Sequence, residues 1–407
     1  MRTIQLLGSN VLVGVHLDKG IFEVKTCIYC KTEKNEGEFT LEHVISQFLG
    51  GAQAPDDLKT RNVCGTCNSN LGLFVDASFE KDFLVFNELN EAAYLFFDPD
   101  APVPLPLRNM GVSDLSPPEM KEEEICECWI GPLGEQIYWI RPSDERMYWY
   151  SGGNPRTVKK VKTRAYFIWS ERSQKNPIIT WLSFGDAFNG RKVRKVSCTT
   201  VEGANLADIG FSEPDELDLE RIAYFNEKCS NGQERKNRLS MYLRYDVRFM
   251  AKLAIGLGHV LFGDKFDNSS YAKELHKALW YKEGDPEPGI AGQSNLGQDN
   301  EFLKNVCGIT HGVTLTILPS SKYVVLNLNI SRKMNWVIGI AEIEDVKGCI
   351  GEDLVHGLCV LLFKPLGKGF TLTLPELIAH NSNNIPHPKL VEVESLAGKG
   401  AGYFENL

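Results

Sequence analysis

The chain has 407 residues, of which 43% are hydrophobic and 24% charged, a composition typical of a globular protein with a large core. Its 53 acidic and 44 basic residues give a net charge of −9, which argues against a surface that binds nucleic acid or anionic membranes over its whole area. No apolar run is long enough to cross a membrane, and the first ten residues lack a secretory signal pattern. We therefore expect a cytoplasmic protein of two or three domains, with no membrane partner.

Four of the eleven cysteines form two C-x-x-C pairs near the start of the chain. The pairs are Cys27 with Cys30 and Cys64 with Cys67, whereas the other seven cysteines are scattered. Four thiolates in two such pairs can bind one zinc ion in a closed tetrahedral site that stabilises a small fold. An odd number of cysteines in a long chain argues against a disulfide framework. We predict an N-terminal module held together by a structural Zn²⁺ ion.

A helix is predicted directly after the second cysteine pair. Its apolar residues recur every four positions, at Leu71, Val75, Phe79 and Phe83. Four prolines then fall between positions 99 and 106, a spacing that neither a helix nor a central strand tolerates. We place the end of the module there and predict its range as residues 1–98.

The rest of the chain is predicted to be a larger mixed α+β region rich in strands. Between about 125 and 205, short β-branched and aromatic runs separated by turn residues predict an antiparallel sheet; the runs are QIYWI, RMYWY, TRAYFIW and PIITWLSF. Cys126 and Cys128 lie within this part and are expected to be strand residues rather than a second metal site.

Helices and further strands are predicted toward the end of the chain. One helix has an apolar stripe between Val247 and Leu261, a second runs from Tyr271 to Trp280, and the final strands include VTLTIL, KYVVLNLNI and NWVIGIAEI. A flexible connector over 284–300 separates the helices from these strands. The predicted regions are 107–283 and 300–407, the latter either separate or part of one domain with the former.

The segment between the two cysteine pairs contains residues suited to chemistry. It includes Glu42-His43-Val44-Ile45 and Gly50-Gly51, and the second pair continues as Cys67-Asn68. In this order, and together with the cysteine pairs, these motifs resemble the HNH endonuclease family, which has a ββα-metal fold. The resemblance covers residues from roughly 25 to 76 and leaves the larger part of the chain unassigned.

The resemblance implies a role for each of three residues. A neutral imidazole can take a proton from water, and this base would be His43. Glu42 and Asn68 would hold a catalytic Mg²⁺ or Mn²⁺ ion, since such hard cations prefer oxygen ligands. Neighbouring strand residues point to opposite faces, so Glu42 and His43 can serve one site only if the strand is twisted or the ion lies near its edge.

Two positions depart from the family pattern. The family more often has Asp or His where Glu42 stands, and the longer side chain would shift the ion or place Glu42 behind the ligands. The middle asparagine of the family, which braces the loop and orients the base, has two candidate counterparts in this sequence, Asp57 and Asn62.

A basic segment within the acidic chain suggests a DNA-binding surface. Eleven basic residues and two acidic ones lie between Arg156 and Lys195, with aromatic residues interleaved. Such a segment could bind phosphates and stack on bases, or it could be a solvated sheet face whose aromatic residues lie in the core. The predicted nucleic-acid contacts are Lys159, Lys160, Lys162, Arg164, Arg191, Lys192 and Arg194.

The resemblance implies a metal-dependent endonuclease that cuts DNA, and bacterial chains of this build are often restriction or antiphage-defence nucleases. One base and one ion make one nick, so a double-strand break would require a homodimer or a higher assembly. The C-terminal region is expected to read modified DNA or to bind a signalling nucleotide, and no motif selects between them. The alternative is a zinc-stabilised nucleic-acid-binding or adaptor protein without catalysis.

Overall fold

A computed structural model describes residues 24–143, 161–201, 205–229, 234–239, 243–294, 306–382 and 384–405. The fold is α+β, as predicted, with an N-terminal ββα region followed by a larger mixed region rich in strands. Within these ranges no helix combines the length and the apolar character needed to span a bilayer.

The strands are short in the N-terminal region and longer toward the end of the chain. In chain order they are β1 (Val24–Thr26), β2 (Glu33–Asn35), β3 (Phe39–His43), β4 (Lys59–Cys64), β5 (Arg108–Ser113), β6 (Glu124–Ile130), β7 (Gln136–Pro142), β8 (Thr163–Ile168), β9 (Val193–Ser197), β10 (Asn237–Arg238), β11 (Gly292–Gln293), β12 (Val313–Pro319), β13 (Tyr323–Ile330), β14 (Met334–Glu342), β15 (Leu358–Phe363) and β16 (Lys368–Thr373).

The helices range from single turns to the long helix that follows β10. In chain order they are α1 (Gly65–Leu71), α2 (Ala77–Glu80), α3 (Phe83–Leu95), α4 (Glu171–Lys175), α5 (Pro177–Asp186), α6 (Glu216–Cys229), α7 (Leu243–Phe262), α8 (Asp264–Asp267), α9 (Ser270–Leu279), α10 (Ile343–Val346), α11 (Glu352–Val355), α12 (Leu374–Asn381) and α13 (Pro388–Glu405).

Among the described residues, the strands form two hairpins and two six-stranded sheets. The hairpins are β1-β2 and β3-β4. The first sheet has the strand order β10-β5-β6-β7-β8-β9, and the second has the order β11-β14-β13-β12-β15-β16. Neighbouring strands are antiparallel except β8 and β9, which run parallel. The prediction of a purely antiparallel sheet is therefore wrong at one edge of the first sheet. There α4 and α5 carry the chain back between β8 and β9, so these two strands run parallel.

One predicted strand is wrong, since the run PIITWLSF forms helix α5. Pro177 occupies the first helical turn, where its missing N–H costs nothing. The buried positions are Ile179, Thr180, Ser183 and Phe184, which follow a helical period rather than strand alternation. Ile178 is left 67% exposed. The predicted run RMYWY lies outside the described residues.

The helix predicted after Cys67 exists but does not continue to Phe83. Leu71, Val75 and Phe79 are buried, as the four-residue period predicts. A π-helical turn joins α1 to α2, and α2 then stops before Asp82. The carboxylate of Asp82 accepts a hydrogen bond from the Leu84 N–H and caps a new helix, α3.

Most of the other predicted elements are confirmed. QIYWI and TRAYFIW lie in β7 and β8, and the three final runs form β12, β13 and β14. Cys126 and Cys128 are buried residues of β6. The stripe of α7 is buried at Met250, Ala254 and Leu257 and half-buried at its two ends.

The largest hydrophobic core joins the N-terminal region to α7, α9 and the second sheet. Leu71, Ala254 of α7 and Leu326 of β13 all belong to it and are at most 1% exposed. Phe79 stacks on Phe249 of α7 with ring centroids 4.1 Å apart. The first sheet has separate cores on its two faces. Helix α7 therefore shares a core with the second sheet, so this core crosses the predicted boundary near residue 283. The division into three domains stays a prediction.

Candidate active site and zinc centre

The four paired cysteines converge on one point. Cys27 and Cys30 lie in the turn after β1, Cys64 ends β4, and Cys67 lies in the first turn of α1. Their four Sγ atoms all lie within 4.8 Å of one another, and the Cys30 and Cys64 sulfurs are 4.0 Å apart. The backbone N–H of Cys64 also points to Cys27 Sγ, at 3.4 Å.

This geometry fits a zinc ion. Zinc–thiolate bonds of about 2.3 Å require sulfurs roughly 3.8 Å apart at the corners of a tetrahedron. A hydrogen bond from the Cys67 thiol is the main reason why the pKa of Cys27 falls to about 4, so one thiolate is ready to bind a metal. Across the described ranges, no other group of three or more His, Cys, Asp or Glu side chains is suitably close for a metal. A catalytic Mg²⁺ ion would not need three protein ligands, because it keeps several water molecules as ligands.

His43 is the last residue of β3 and is partly exposed. It pairs with Lys59 across the hairpin, just beyond a bulge between Thr40 and Glu42 that changes the register of the two strands. Burial, and then the nearby Lys59 ammonium, lower the pKa of His43. The imidazole is therefore neutral at pH 7. Its one hydrogen-bond contact among the described residues is with Gln47 Nε2, at a long 3.5 Å from Nδ1.

Asn68 joins helix α1 to the strand that carries His43. Its Nδ2 donates to the carbonyl oxygen of Leu41 at 2.9 Å and to Thr40 Oγ1 at 3.0 Å. Both hydrogen bonds use the amide nitrogen. Within the described part of the chain no group donates to Oδ1, the atom that can bind a hard cation.

Glu42 lies inside the protein and contacts a lysine of helix α7. Its carboxylate is buried, and its Oε1 lies 3.0 Å from the Lys252 ammonium of α7. Burial raises the pKa of Glu42. Burial alone would lower the pKa of Lys252, but Asp76 and Glu42 outweigh it and raise the pKa, so the ammonium stays charged. Glu42 is thus paired with a buried lysine, and a role for Glu42 as an ion ligand stays a prediction.

Neither candidate for the middle residue is bonded to His43 among the described residues. Asp57 is exposed in a single 3₁₀ turn before β4. The Asn62 amide is 2.9 Å from His259 Nε2 of α7, and the His259 ring is held by Asp267 at 2.7 Å. The sequence analysis did not single out Lys252. A lone lysine on a helix gives no local sign that it contacts a strand so far away in sequence.

Two of the predicted DNA-binding arginines of the basic segment are half-buried and paired with carboxylates of the same protein. Arg164 and Arg194 both bind the fully buried carboxylate of Asp218, at 2.6 and 2.8 Å, and Asp215 lies beside them. Arg191 stacks over the Trp139 ring.

The aromatic side chains of the segment are also largely unavailable to bases. Tyr166, Phe167, Trp169 and Phe184 are at most 3% exposed, so the interpretation that they stack on bases is wrong for these four residues. They fill the cores on either face of the first sheet. Lys162 and Lys192 remain exposed at neighbouring strand ends, whereas Lys159 and Lys160 lie outside the described residues.

Comparison with known families agrees with the geometry. Residues 27–84 match the family model described as HNH endonuclease. The match begins at Cys27, the first residue of the four-cysteine cluster, includes His43 and Asn68, and covers about one seventh of the chain. It confirms the resemblance found in the motifs. Comparisons with curated proteins and with solved structures gave no match.

Proposed function

We propose that the protein is a metal-dependent endonuclease that hydrolyses DNA phosphodiester bonds, with His43 as the general base. The observation that carries this proposal is a neutral, partly exposed imidazole at the end of a hairpin, clamped by a four-cysteine site within a segment that matches an endonuclease family. Asn68 supports it, because its Nδ2 is bonded to Leu41, two residues before His43, while its Oδ1 accepts no hydrogen bond from the described residues.

In the proposed reaction His43 takes a proton from a water molecule as the water oxygen attacks phosphorus. One P–O bond forms, the bond from phosphorus to the sugar oxygen breaks, and the leaving oxygen takes a proton from solvent. When bound, a divalent cation such as Mg²⁺ or Mn²⁺ would neutralise the negative charge that builds up on the phosphate. Asn68 would hold that ion through Oδ1, and Glu42, whose Oε1 pairs with the Lys252 ammonium, would be the second candidate ligand.

The finer parts of the proposal rest on the family resemblance. They are a restriction or antiphage role in the cytoplasm, assembly into a dimer for double-strand cutting, and a C-terminal region that senses modified DNA or a signalling nucleotide. For DNA binding outside the module, exposed Lys162 and Lys192 are the favoured contacts.

The test is cleavage of a supercoiled plasmid by the full chain with Mg²⁺ or Mn²⁺. We expect nicking by the natural sequence and its loss in His43→Ala, with zinc content and melting temperature unchanged. His356→Ala is a matched control, since His356 is exposed and lies just before the first residue of β15. The contact of β15 with the N-terminal module is near its other end, where Leu362 packs against Gly50.

Either of two results contradicts the proposal. If His43 is the base, His43→Ala must cut more slowly than the natural sequence, so equal rates exclude that role. Absence of cutting by zinc-loaded protein with either cation, on several DNA substrates, favours a zinc-stabilised binding or adaptor protein instead.

A further inference from the structure

A buried lysine from the C-terminal half contacts the acidic residue next to His43. The Lys252 side chain of α7 is 3% exposed, and its Nζ lies 3.0 Å from Glu42 Oε1 and 2.6 Å from Asp76 Oδ2. Tyr29 lies on the same cluster, with its hydroxyl 3.5 Å from Glu42 Oε1. One ammonium therefore ties the strand β3 to the π-helical turn that follows α1.

The face of α7 that carries Lys252 approaches the β3-β4 hairpin at two further points. Lys252, Gly256 and His259 are spaced by four and three residues, so they lie on one side of the helix. A Cβ atom on Gly256 would lie 2.7 Å from Val44 Cγ1, which shows how closely the helix backbone approaches the residue after His43. His259 contacts Asn62 on the other strand of the hairpin.

His43 is therefore held mainly through its neighbours. Glu42 before it is fixed by Lys252, and Val44 after it packs against Gly256. Its own side chain makes only the long hydrogen bond with Gln47 among the described residues. The orientation of the imidazole depends on where α7 holds the end of β3.

We propose that Lys252 is a positioning residue for His43, which makes helix α7 part of the nuclease site. This inference rests on the proposed function of His43. Displacing a catalytic group by about 1 Å can cost on the order of 100-fold in rate, so loss of this anchor should be visible in kcat.

The test compares Lys252→Met with the natural sequence, using Lys265→Met as a control for an exposed lysine on the following helix. The measurements are kcat and KM for plasmid nicking, the Mg²⁺ concentration at half-maximal rate, zinc content and melting temperature. We expect kcat to fall by about 100-fold. KM, the Mg²⁺ requirement and zinc content should be unchanged, and Lys265→Met should behave like the natural sequence.

A second variant covers the case in which Lys252→Met does not fold. The triple change Lys252→Met, Glu42→Gln and Asp76→Asn leaves no unpaired buried charge, and it should combine a normal melting temperature with a low kcat. A folded variant with the natural kcat overturns the proposal. A raised Mg²⁺ requirement also overturns it, since Glu42 would then be a cation ligand, and so does a raised KM at unchanged kcat.

These failures differ from a failure of the proposed function. If His43→Ala abolishes nicking while Lys252→Met nicks normally, only the positioning role is lost. If His43→Ala nicks at the natural rate, the proposed base is wrong, and the positioning role falls with it.

Discussion

Removal of one zinc thiolate should weaken the large core as well as the module that carries the zinc. The change we consider is Cys67→Ser, at a residue 5% exposed in the first turn of α1. Structural zinc contributes about 10–16 kcal/mol to small zinc-finger peptides, as much as the whole stability of a typical domain. Ile28 and Tyr29, between the first two cysteines, are buried in the same core as α7. Loss of the ion should therefore spread to α7 and the second sheet.

The expected fall in melting temperature follows from the share of the zinc contribution that is lost. If only about 4 kcal/mol of the zinc contribution is lost, the melting temperature of a cooperative unit of 150–250 residues falls by roughly 8–16 °C. Little rearrangement is needed to bind the ion, since the sulfurs already lie within 4.8 Å of one another. The natural sequence should therefore be purified with zinc bound.

The assay measures zinc content by mass spectrometry and unfolding by scanning calorimetry. Cys349→Ser is the control, because Cys349 is exposed and lies outside the cluster. Full zinc content in Cys67→Ser would refute the assignment of Cys67 as a ligand. Zinc loss at an unchanged melting temperature would refute the claim that the site stabilises the shared core.

Three further predictions concern stability and DNA binding. Burial raises the pKa of Asp246 to about 7, so the folded state prefers the protonated carboxyl. Between pH 4 and pH 8 the natural sequence should lose up to about 4 kcal/mol of unfolding free energy relative to Asp246→Asn, measured by urea denaturation. Lys162→Glu with Lys192→Glu should weaken DNA binding and reduce the slope of log K against log salt by roughly 1.8. Gly256→Ala should lower the free energy of unfolding by about 1–3 kcal/mol, because the new methyl group would overlap Val44.

Each of these has a matched comparison. A pH-independent difference between Asp246→Asn and the natural sequence would contradict the burial of an ionisable carboxyl. An unchanged slope of log K against log salt would show that Lys162 and Lys192 do not contact phosphates. Arg194→Ala is the comparison, and it should lower the melting temperature because the buried Asp218 carboxylate loses a partner. Gly398→Ala, at a helical position with no atom within 4 Å of the new Cβ, should not destabilise the protein.

The four-cysteine cluster could be predicted because its chemistry is local in sequence. Two C-x-x-C pairs identify their own ligands, and their geometry is fixed by the turn that contains the first pair and by the junction of β4 and α1 that contains the second. The strands β12, β13 and β14 were equally clear, since each is a long β-branched run. By contrast, PIITWLSF is apolar enough for a strand or a buried helix, and periodicity separates them poorly in so short a run.

The surroundings of His43 could not be predicted from the sequence because they depend on distant residues. Glu42 next to a histidine suggests a metal ligand, and nothing local in the sequence shows that the packing of α7 places Lys252 3.0 Å from it. Arg164 and Arg194 suggest a DNA surface until Asp218 is found between them. In both cases a charge that seems available in the sequence is neutralised by a partner that only the tertiary fold supplies.

The most direct test of the proposed nuclease site is the single-turnover rate of DNA nicking by His43→Ala relative to the natural sequence, at matched zinc content and saturating Mg²⁺. General-base catalysis by His43 predicts a rate lower by about 10²–10⁴-fold in the variant. Equal rates in two folded, zinc-loaded proteins would contradict it.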